Sequence, residues 1–387
     1  MEFLMNCKTA FIIASLVFLS LGCGKKYKMH RDLINQSSEF AFYRGNLQAT
    51  GAVDNNGFEG KLDILWEFKS NDKPVGPLTM YNNLLIYPGG RNKIKFIEAE
   101  TGHFKGYIKP KGTAQSGLVI SDSLGFLANS ARKGNLKCIN LLNRKTVWQK
   151  QVKDAAGGSI IIEEKLIVGS VEGRLFAFEK STGNVLWTFE TKSSFVLPPL
   201  FGNNRIWMAG AEGTIYCIQP EDGSEIFQIQ LPNPVVASMA FDRSLYVADI
   251  KGIVYKIDQT VGRILWQKDI GAPVWSAPAV KNNRLYIAHS GGDVLALSTT
   301  DGSEIWRFSS IDVITAPVLV VGEFVLFGSK SSEFYSLRTV DGSLVEKREL
   351  YGAVTIAPVT NGNKVYVATD KGMITCFGVN NETNTKE

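Results

Sequence analysis

The chain has 387 residues, of which 44% are apolar, and its 42 Lys and Arg exceed its 37 Asp and Glu by a formal charge of +5. Such a chain can bury a large core, and a small positive surplus without a long Lys/Arg block argues against nucleic-acid binding through phosphate neutralisation. The three His residues, His30, His103 and His289, lie far apart, and no Cys-x-x-Cys spacing accompanies them. A zinc site is therefore not expected.

An apolar run at residues 10–22 is too short to span a bilayer comfortably and has the length of a signal-peptide core. We therefore predict a signal peptide over residues 1–22. The run ends in Leu19-Ser20-Leu21-Gly22-Cys23, which resembles a relaxed form of the lipobox at which bacterial lipoproteins are cleaved. The resemblance implies that Cys23 is the lipidated first residue of the mature chain.

The segment that follows, residues 23–41, is basic and then polar, and we predict a lipidated tether there. Gly24 at the second mature position favours the outer membrane under the sorting rule of bacterial lipoproteins. The sequence leaves three questions open: inner or outer membrane, acylation or export alone at Cys23, and a start at Met1 or Met5.

One pattern then recurs seven times at a spacing near 40 residues, beginning at residues 95, 137, 176, 216, 255, 295 and 335. Each copy is an alternating apolar strand, a turn and a second strand, which predicts a β-hairpin, and a second hairpin precedes it. A small residue or Pro also marks the expected innermost strand eight times. These are Pro77, Gly117, Gly158, Pro199, Ser238, Pro278, Pro317 and Pro358. A period of this length indicates a propeller or a solenoid.

The eighth unit begins at Tyr351 and lacks a last strand. Residues 63–68 resemble that strand, and pairing them with residues 372–377 would close the ring and remove the free sheet edges. The sequence therefore predicts an all-β fold, an eight-bladed β-propeller of four-stranded blades over residues 42–378. The polar tail, residues 379–387, is predicted to be disordered.

Thr182-Gly183 with Trp187, and the opening Arg44-Gly45-Asn46 with Thr50-Gly51, resemble motifs of the PQQ-like repeat β-propellers. The resemblance covers nearly the whole mature chain and implies that one aromatic residue per blade docks onto the next blade. These residues are Trp66, Trp148, Trp187, Phe227, Trp266 and Trp306. Blades 1 and 7 carry Gly106 and Glu346 at this position and should dock differently.

Three cysteines, Cys138, Cys217 and Cys376, share one repeat position that elsewhere holds mostly Ala or Ser. A slot of this kind takes small packing side chains. Because the three lie in different blades, we predict free thiols rather than disulfides.

The PQQ-like family includes quinoprotein dehydrogenases, whose site needs cations for the PQQ carboxylates, acidic Ca²⁺ ligands, a catalytic Asp and an adjacent Cys pair. The residues predicted at the channel mouth carry no charge, and the chain has no adjacent Cys pair. They are Val75, Gln115, Ala156, Leu197, Val236, Ser276, Thr315 and Ile356. We therefore expect no enzyme, no metal and no cofactor, and keep a PQQ-dependent dehydrogenase only as the least favoured alternative.

A lipid-anchored, eight-bladed propeller is similar in architecture to the BamB family of outer-membrane assembly lipoproteins. The resemblance implies a non-catalytic scaffold on the periplasmic face of the outer membrane, monomeric outside its complex. Its partner would be an envelope protein complex such as the β-barrel assembly machinery. The segments that should carry the family's Leu-Arg stretch and acidic pair, residues 191–197 and 231–236, show neither motif.

Large apolar groups mark the loops that lead into the innermost strands, and exposed aromatics on loops are typical anchors of interfaces. We expect a partner surface at Phe195, Asn233, Pro234, Trp275 and Tyr351. Two alternatives remain. These side chains could instead plug the channel end, or the channel mouth could bind a small ligand or glycan.

Overall fold

The computed structural model describes residues 26–29, 44, 46–55, 57–109, 117–129, 135–155 and 158–379. Within these ranges the regular structure is β, arranged in eight antiparallel four-stranded sheets, one of which gains a parallel fifth strand. Innermost strands of most successive sheets contact one another. The fold is the predicted eight-bladed β-propeller.

The strands of blades 1 to 4, from the channel outward, are as follows. Blade 1 has Thr79–Tyr81, Leu84–Gly89, Lys93–Glu98 and Phe104–Ile108; blade 2 has Val119–Ser121, Leu124–Asn129, Asn135–Asn140 and Thr146–Gln151; blade 3 has Ser159–Ile162, Lys165–Gly169, Arg174–Glu179 and Val185–Glu190; blade 4 has Leu200–Gly202, Arg205–Ala209, Thr214–Ile218 and Glu225–Gln230.

The remaining strands follow the same order. Blade 5 has Ala240–Phe241, Leu245–Ala248, Ile253–Ile257 and Ile264–Asp269; blade 6 has Ala279–Lys281, Arg284–Ala288, Asp293–Ser298 and Glu304–Ser309; blade 7 has Leu319–Val321, Phe324–Gly328, Glu333–Arg338 and Leu344–Glu349; blade 8 has Val359–Thr360, Val365–Ala368, Met373–Phe377 and Ile64–Lys69. Ala52–Val53 is the parallel fifth strand, beside the innermost strand of blade 7.

Burial follows the position of a strand in its blade. The second strand of blade 7, Phe324–Gly328, is buried along its whole length, because neighbouring blades cover both of its faces. The outermost strand of blade 3, Val185–Glu190, buries fully only Trp187. The outermost strand is therefore the most exposed strand of its blade.

The ring closes as the sequence predicts. Ile64–Lys69 pairs antiparallel with Met373–Phe377, and Trp66 lies opposite Cys376. This pairing supplies the fourth strand of blade 8 from the N-terminal side, so the third strand of that blade keeps no free edge.

Most docking contacts pair an aromatic ring with the turn glycine of the next blade. The Trp148 indole N–H donates to the Lys180 carbonyl at 3.0 Å, and its ring lies on Gly183, where a Cβ would stand 2.5 Å from Trp148 Cδ2. Trp187 repeats both contacts with the Pro220 carbonyl and Gly223. Trp66, Trp266 and Trp306 donate in the same way to the carbonyls of Ala99, Thr299 and Thr339. Glycine is needed in these turns for close approach as well as for positive φ.

At the junction from blade 4 to blade 5, Phe227 supplies an aromatic ring as Trp does elsewhere, and the side chain of Arg205 replaces the indole N–H as hydrogen-bond donor. The Phe227 ring lies against Gly262, and the Arg205 guanidinium donates to the Gln259 carbonyl, which occupies the position of Thr299 in the next blade. Arg205 also lies 5.9 Å from the centre of the Phe227 ring.

The junction from blade 1 to blade 2 is filled by the N-terminal chain. Blade 1 has Gly106 in place of an aromatic residue, and blade 2 has Arg144 (φ 64°) in place of the turn glycine. The Met29 N–H donates at 3.0 Å to the Leu141 carbonyl, which corresponds to the Trp acceptor in other blades. Tyr27 stacks on Phe96 with ring centres 4.0 Å apart.

Part of the predicted tether is therefore packed against the propeller, which corrects that prediction for residues 26–29. At the junction from blade 7 to blade 8, the Glu346 carboxylate accepts the Leu62 N–H at 2.7 Å, and Phe58 packs edge-on against Phe324. The expectation that blades 1 and 7 dock differently is confirmed. The signal peptide, Cys23 and residues 380–387 of the tail lie outside the described residues.

The N-terminal chain also crosses one end of the channel, which the sequence did not predict. Carbonyls of residues 47–53 accept backbone N–H groups at 2.9–3.0 Å from the innermost strands of blades 4 to 7 and from Gly322, which directly follows the strand of blade 7. The donors are Phe201, Phe241, Val280, Val320 and Gly322. Innermost strands have an edge without a neighbouring strand, and this segment supplies acceptors for it.

The three described cysteines, Cys138, Cys217 and Cys376, are buried and free, as predicted. They lie opposite Trp148, Phe227 and Trp66 in their cross-strand pairs, so the small side chain leaves room for the docking ring. Burial raises the pKa of the Cys138 thiol to about 12 and that of Cys217 to about 11.

Candidate functional site

One end of the propeller carries the connections from each outermost strand to the innermost strand of the next blade; we call it the loop face. The fully described loops span residues 70–78, 191–199, 231–239, 270–278, 310–318 and 350–358. Each is bonded to the blade it leaves and the blade it enters. In the loop at 231–239, the Leu231 N–H donates to the Gly213 carbonyl and the Pro234 carbonyl accepts the Ile250 N–H, both at 3.0 Å. The loop face is therefore ordered by backbone bonds.

Each of five loops points one apolar side chain inward at the same position, four residues after the first bonded N–H. These side chains are fully buried: Phe195, Val235, Val274, Ile314 and Val354. Phe195 packs edge-on against Tyr216 with ring centres 5.7 Å apart. The expectation that Phe195 forms part of an exposed surface is therefore wrong, because it occupies the core slot of its loop.

Other positions on four successive loops, from blade 5 round to blade 1, expose large apolar groups. We call this set the apolar arc: Val75, Trp275, Ile311, Val313 and Tyr351. Trp275 is 47% exposed and Tyr351 is 55% exposed, with the Lys69 ammonium 4.9 Å from the centre of the Tyr351 ring. The sequence thus identified two members of the arc.

Ile311 is the most exposed member, at 97%, and sequence reasoning missed it. Its φ is +59°, a left-handed conformation that strains a β-branched residue. The corresponding residue in the preceding loop is Gly271, with φ +93°. Ile in a slot suited to Gly was the available signal, and strain of this kind is concentrated at functional sites.

Asn233 and Pro234 lie beside the arc but differ in role. Asn233 donates to Asp249 Oδ2 at 2.9 Å, and the same buried carboxylate accepts the Tyr255 hydroxyl at 2.9 Å. Burial raises the pKa of Tyr255 and keeps its hydroxyl protonated. Asn233 therefore orders the loop, whereas Pro234 is exposed.

A polar cluster lies next to the arc on blade 6. Asp293 accepts the Arg307 guanidinium at 2.6 Å and the Ser309 hydroxyl at 2.7 Å, and His289 Nε2 lies 3.4 Å from it. Burial lowers the pKa of His289 despite the carboxylate. His289 Nδ1 accepts the Gly291 N–H at 3.1 Å, which also favours the neutral ring.

Arg44 is buried where the N-terminal segment meets the chain entering the innermost strands of blades 6 and 7. It is 5% exposed and donates to the carbonyls of Ala277 and Pro278 at 2.7 Å and to Val318 at 3.3 Å. Other charged side chains line a pocket beside the N-terminal segment: Asp54, Asp242, Arg243 and Lys281. Asn46 and Thr50 bond to each other and fold the same segment. The Arg-Gly-Asn…Thr-Gly opening thus fastens the chain to its own innermost strands.

Of the residues predicted at the channel mouth, Val75 is exposed, and four are half-buried: Leu197, Val236, Thr315 and Ile356. All are uncharged. Ser276 does not line a mouth as predicted, because it is fully buried and its hydroxyl donates to the Ala288 carbonyl at 2.9 Å. Gln115 and Ala156 lie outside the described residues. Among the residues described, no group of His, Cys, Asp and Glu is placed to hold a metal ion. The same ranges contain no helix with the length and apolarity needed to span a membrane.

The family model and the relative that match this chain both carry the name BamB. A family model described as "Outer membrane protein assembly factor BamB" matches residues 132–240 and 211–387. A BamB from Legionella pneumophila is 25% identical over 230 residues; the match covers 59% of this chain and 52% of that protein, so the chain spans about half of its length.

Among solved structures, BamB from Moraxella catarrhalis superposes with a TM-score of 0.69 at 15% identity, covering 82% of this chain and 100% of that one. Quinohemoprotein alcohol dehydrogenase from Comamonas testosteroni has a TM-score of 0.74 at 12% identity, covering 92% and 83%. At these identities both superpositions show the fold alone. Because the family model matches more than half of the sequence, the chain belongs to the BamB family of outer membrane protein assembly factors.

Proposed function

We propose that this chain is a non-catalytic scaffold of the bacterial envelope, anchored through a lipid on Cys23, which contributes to assembly of outer-membrane β-barrel proteins. Membership of the BamB family supports this role. The proposed location is the periplasmic face of the outer membrane, and the proposed partner is the β-barrel assembly machinery.

The apolar arc is the observation that carries the proposal. Five large apolar side chains project from four successive loops whose backbone is held by hydrogen bonds at both ends. A surface of this kind can bury apolar area without first ordering its loops, which lowers the entropic cost of binding. The proposal therefore places the partner contact at the arc rather than at Phe195 or Asn233.

The non-catalytic part of the proposal rests on the channel. At its covered end, backbone groups of the innermost strands bond to residues 47–53, and Arg44 donates to three carbonyls. At the mouth, the described residues offer neither cations for carboxylates nor acidic ligands for Ca²⁺.

Site-specific photocrosslinking in living bacteria tests the proposed partner. A benzophenone amino acid replaces Trp275 or Tyr351, and captured proteins are identified by mass spectrometry. The matched controls carry it at Asp301 or Asp341, which are exposed turn residues of blades 6 and 7 at the other end of the strands. We expect subunits of the barrel assembly machinery from the arc positions only.

Capture of those subunits equally from the control positions, or from none of the four, would refute the proposed contact. The anchor is tested separately by mass spectrometry of the mature N-terminus, with Cys23→Ala as control. An unmodified thiol at Cys23 would overturn the lipid anchor and leave the partner contact to be judged by crosslinking.

A further inference from the structure

The charge of the chain is concentrated in one stretch. Residues 101–151 contain nine Lys or Arg and one acidic residue, Asp122, a formal charge of +8 in a chain whose total is +5. The rest of the chain therefore carries −3. The small net charge conceals a strongly basic sector.

In the fold, this stretch forms the outermost strand of blade 1 and all of blade 2. The N-terminal segment packed between these blades adds two more lysines. We call the resulting surface the basic edge: Lys26, Lys28, Lys105, Lys109, Arg144, Lys145 and Lys150. All are exposed except Lys150, which is half-buried. The Lys105 ammonium pairs with Glu98 at 2.7 Å, and within the described part of the chain the other six form no ion pair.

Buried and exposed side chains alternate along residues 26–29, which places this part of the N-terminal chain at the basic edge. Tyr27 and Met29 are 3% and 2% exposed and fill the groove between blades 1 and 2, whereas Lys26 and Lys28 face outward. Cys23 is only three residues upstream of Lys26. Three residues span at most about 11 Å, so a group attached to Cys23 stays close to the basic edge.

We propose that the basic edge lies against an anionic phospholipid surface and orients the propeller on the membrane. Clustered Lys and Arg are attracted to anionic headgroups over a distance of about 8 Å at physiological ionic strength, comparable with the reach of the N-terminal segment. This proposal rests on the lipid anchor at Cys23 from the proposed function, but it does not depend on the protein partner proposed there. The apolar arc lies on the loop face, on the loops from blade 5 round to blade 1, whereas the basic edge lies on the outer side of blades 1 and 2. Lipid contact at the basic edge therefore leaves the arc accessible.

The test measures which side of the ring faces the lipid. The full chain is reconstituted into nanodiscs of phosphatidylcholine with or without phosphatidylglycerol, together with a headgroup spin-labelled lipid that quenches fluorescence. A coumarin amino acid replaces Asn143 in blade 2 or Asp301 in blade 6. These residues occupy the same exposed turn position in blades on opposite sides of the ring.

We expect quenching at position 143 to exceed that at position 301 by about twofold in anionic discs, and to fall to the level of position 301 at 1 M salt, where the screening length is about 3 Å. The triple variant Arg144→Glu, Lys145→Glu, Lys150→Glu should abolish the difference. A control with the same charge change in blade 5, Lys251→Glu, Arg263→Glu, Lys268→Glu, should retain it.

Equal quenching at the two positions, an unchanged difference in the blade 2 variant, or failure of the chain to associate with anionic discs would overturn the proposal. Circular dichroism of both triple variants establishes that they are folded. A difference that appears only after an acidic envelope protein is added would assign the basic edge to a protein and also refute the lipid contact. No result here depends on the crosslinking at the arc, so the two proposals can fail separately.

Discussion

Two aromatic residues of the loop face, Phe195 and Trp275, should differ in how much their truncation to Ala destabilises the fold. Phe195 is fully buried and packs edge-on against Tyr216, whereas Trp275 is 47% exposed. Phe195→Ala removes a core side chain, and Trp275→Ala removes a surface one. The comparison therefore separates what holds the loop face together from what the loop face presents.

Truncating a buried Phe to Ala costs about 3–5 kcal/mol, through lost transfer free energy and the cavity that remains. About 0.5–1.5 kcal/mol of this corresponds to the edge-on contact with Tyr216. The backbone bond from the Phe195 N–H to the Ser170 carbonyl persists and limits collapse of the loop around the cavity. For Trp275→Ala we expect a change in the free energy of unfolding within about 1 kcal/mol, because much of its surface is already in water.

Urea unfolding followed by far-ultraviolet circular dichroism measures both variants, since this signal does not depend on the number of Trp residues. Phe195→Tyr is a useful control, because the added hydroxyl has to be accommodated in an apolar slot and should also destabilise the fold. A loss at Trp275→Ala equal to that at Phe195→Ala would refute the assignment of core and surface. So would unchanged stability of Phe195→Ala.

Three further changes test other contacts by the same unfolding measurement. Tyr27→Phe should raise the free energy of unfolding by about 1 kcal/mol, since the buried hydroxyl has no hydrogen-bond partner among the described residues; a loss would show that the hydroxyl is satisfied. Arg205→Ala should lower the free energy of unfolding by about 1 kcal/mol, and Arg284→Ala should lower it less, because the carbonyl that accepts from Arg284 also accepts the Trp306 indole N–H. A larger loss at Arg284→Ala would contradict the view that Arg205 replaces an indole donor. Because burial lowers the pKa of His289, the unfolded chain binds a proton there more readily than the folded chain. The free energy of unfolding should therefore fall as pH drops below about 6.5, and His289→Gln should weaken this pH dependence. An unchanged pH profile in the variant would exclude His289 as the source of the pH dependence.

The repeat made most of the fold predictable. Strand alternation and the turn glycines define the blades, and residues 63–68 were recognisable as the missing strand because Trp66 matches the docking position. Arg144 in the turn of blade 2 also has a physical reason. Because blade 1 carries Gly106 instead of an aromatic residue, no docking ring approaches this turn, and glycine is not needed there for close approach. Local sequence chemistry is sufficient wherever each blade repeats the same contact.

The remaining features depend on information that the repeat does not carry. Tyr27 and Met29 lie in a segment too short to show periodicity, so its packing between blades follows only from the gap left by Gly106. The residue type of Phe195 predicts a surface position, although alignment with Val235 and Val274 identifies a core slot. The basic edge was missed because net charge averages over the ring.

Closure by the N-terminal strand also constrains the order in which the chain can fold. Thr375 bonds to Glu67 across 308 residues of sequence, and segment 47–53 needs the innermost strands of blades 4 to 7 before its carbonyls find their donors. A chain made from its N-terminus must therefore keep these early residues unpaired until nearly all of it is available. Such long-range closure makes the last folding step slow and leaves exposed strand edges in the intermediate that precedes it. During that interval the chain is most vulnerable to aggregation and proteolysis.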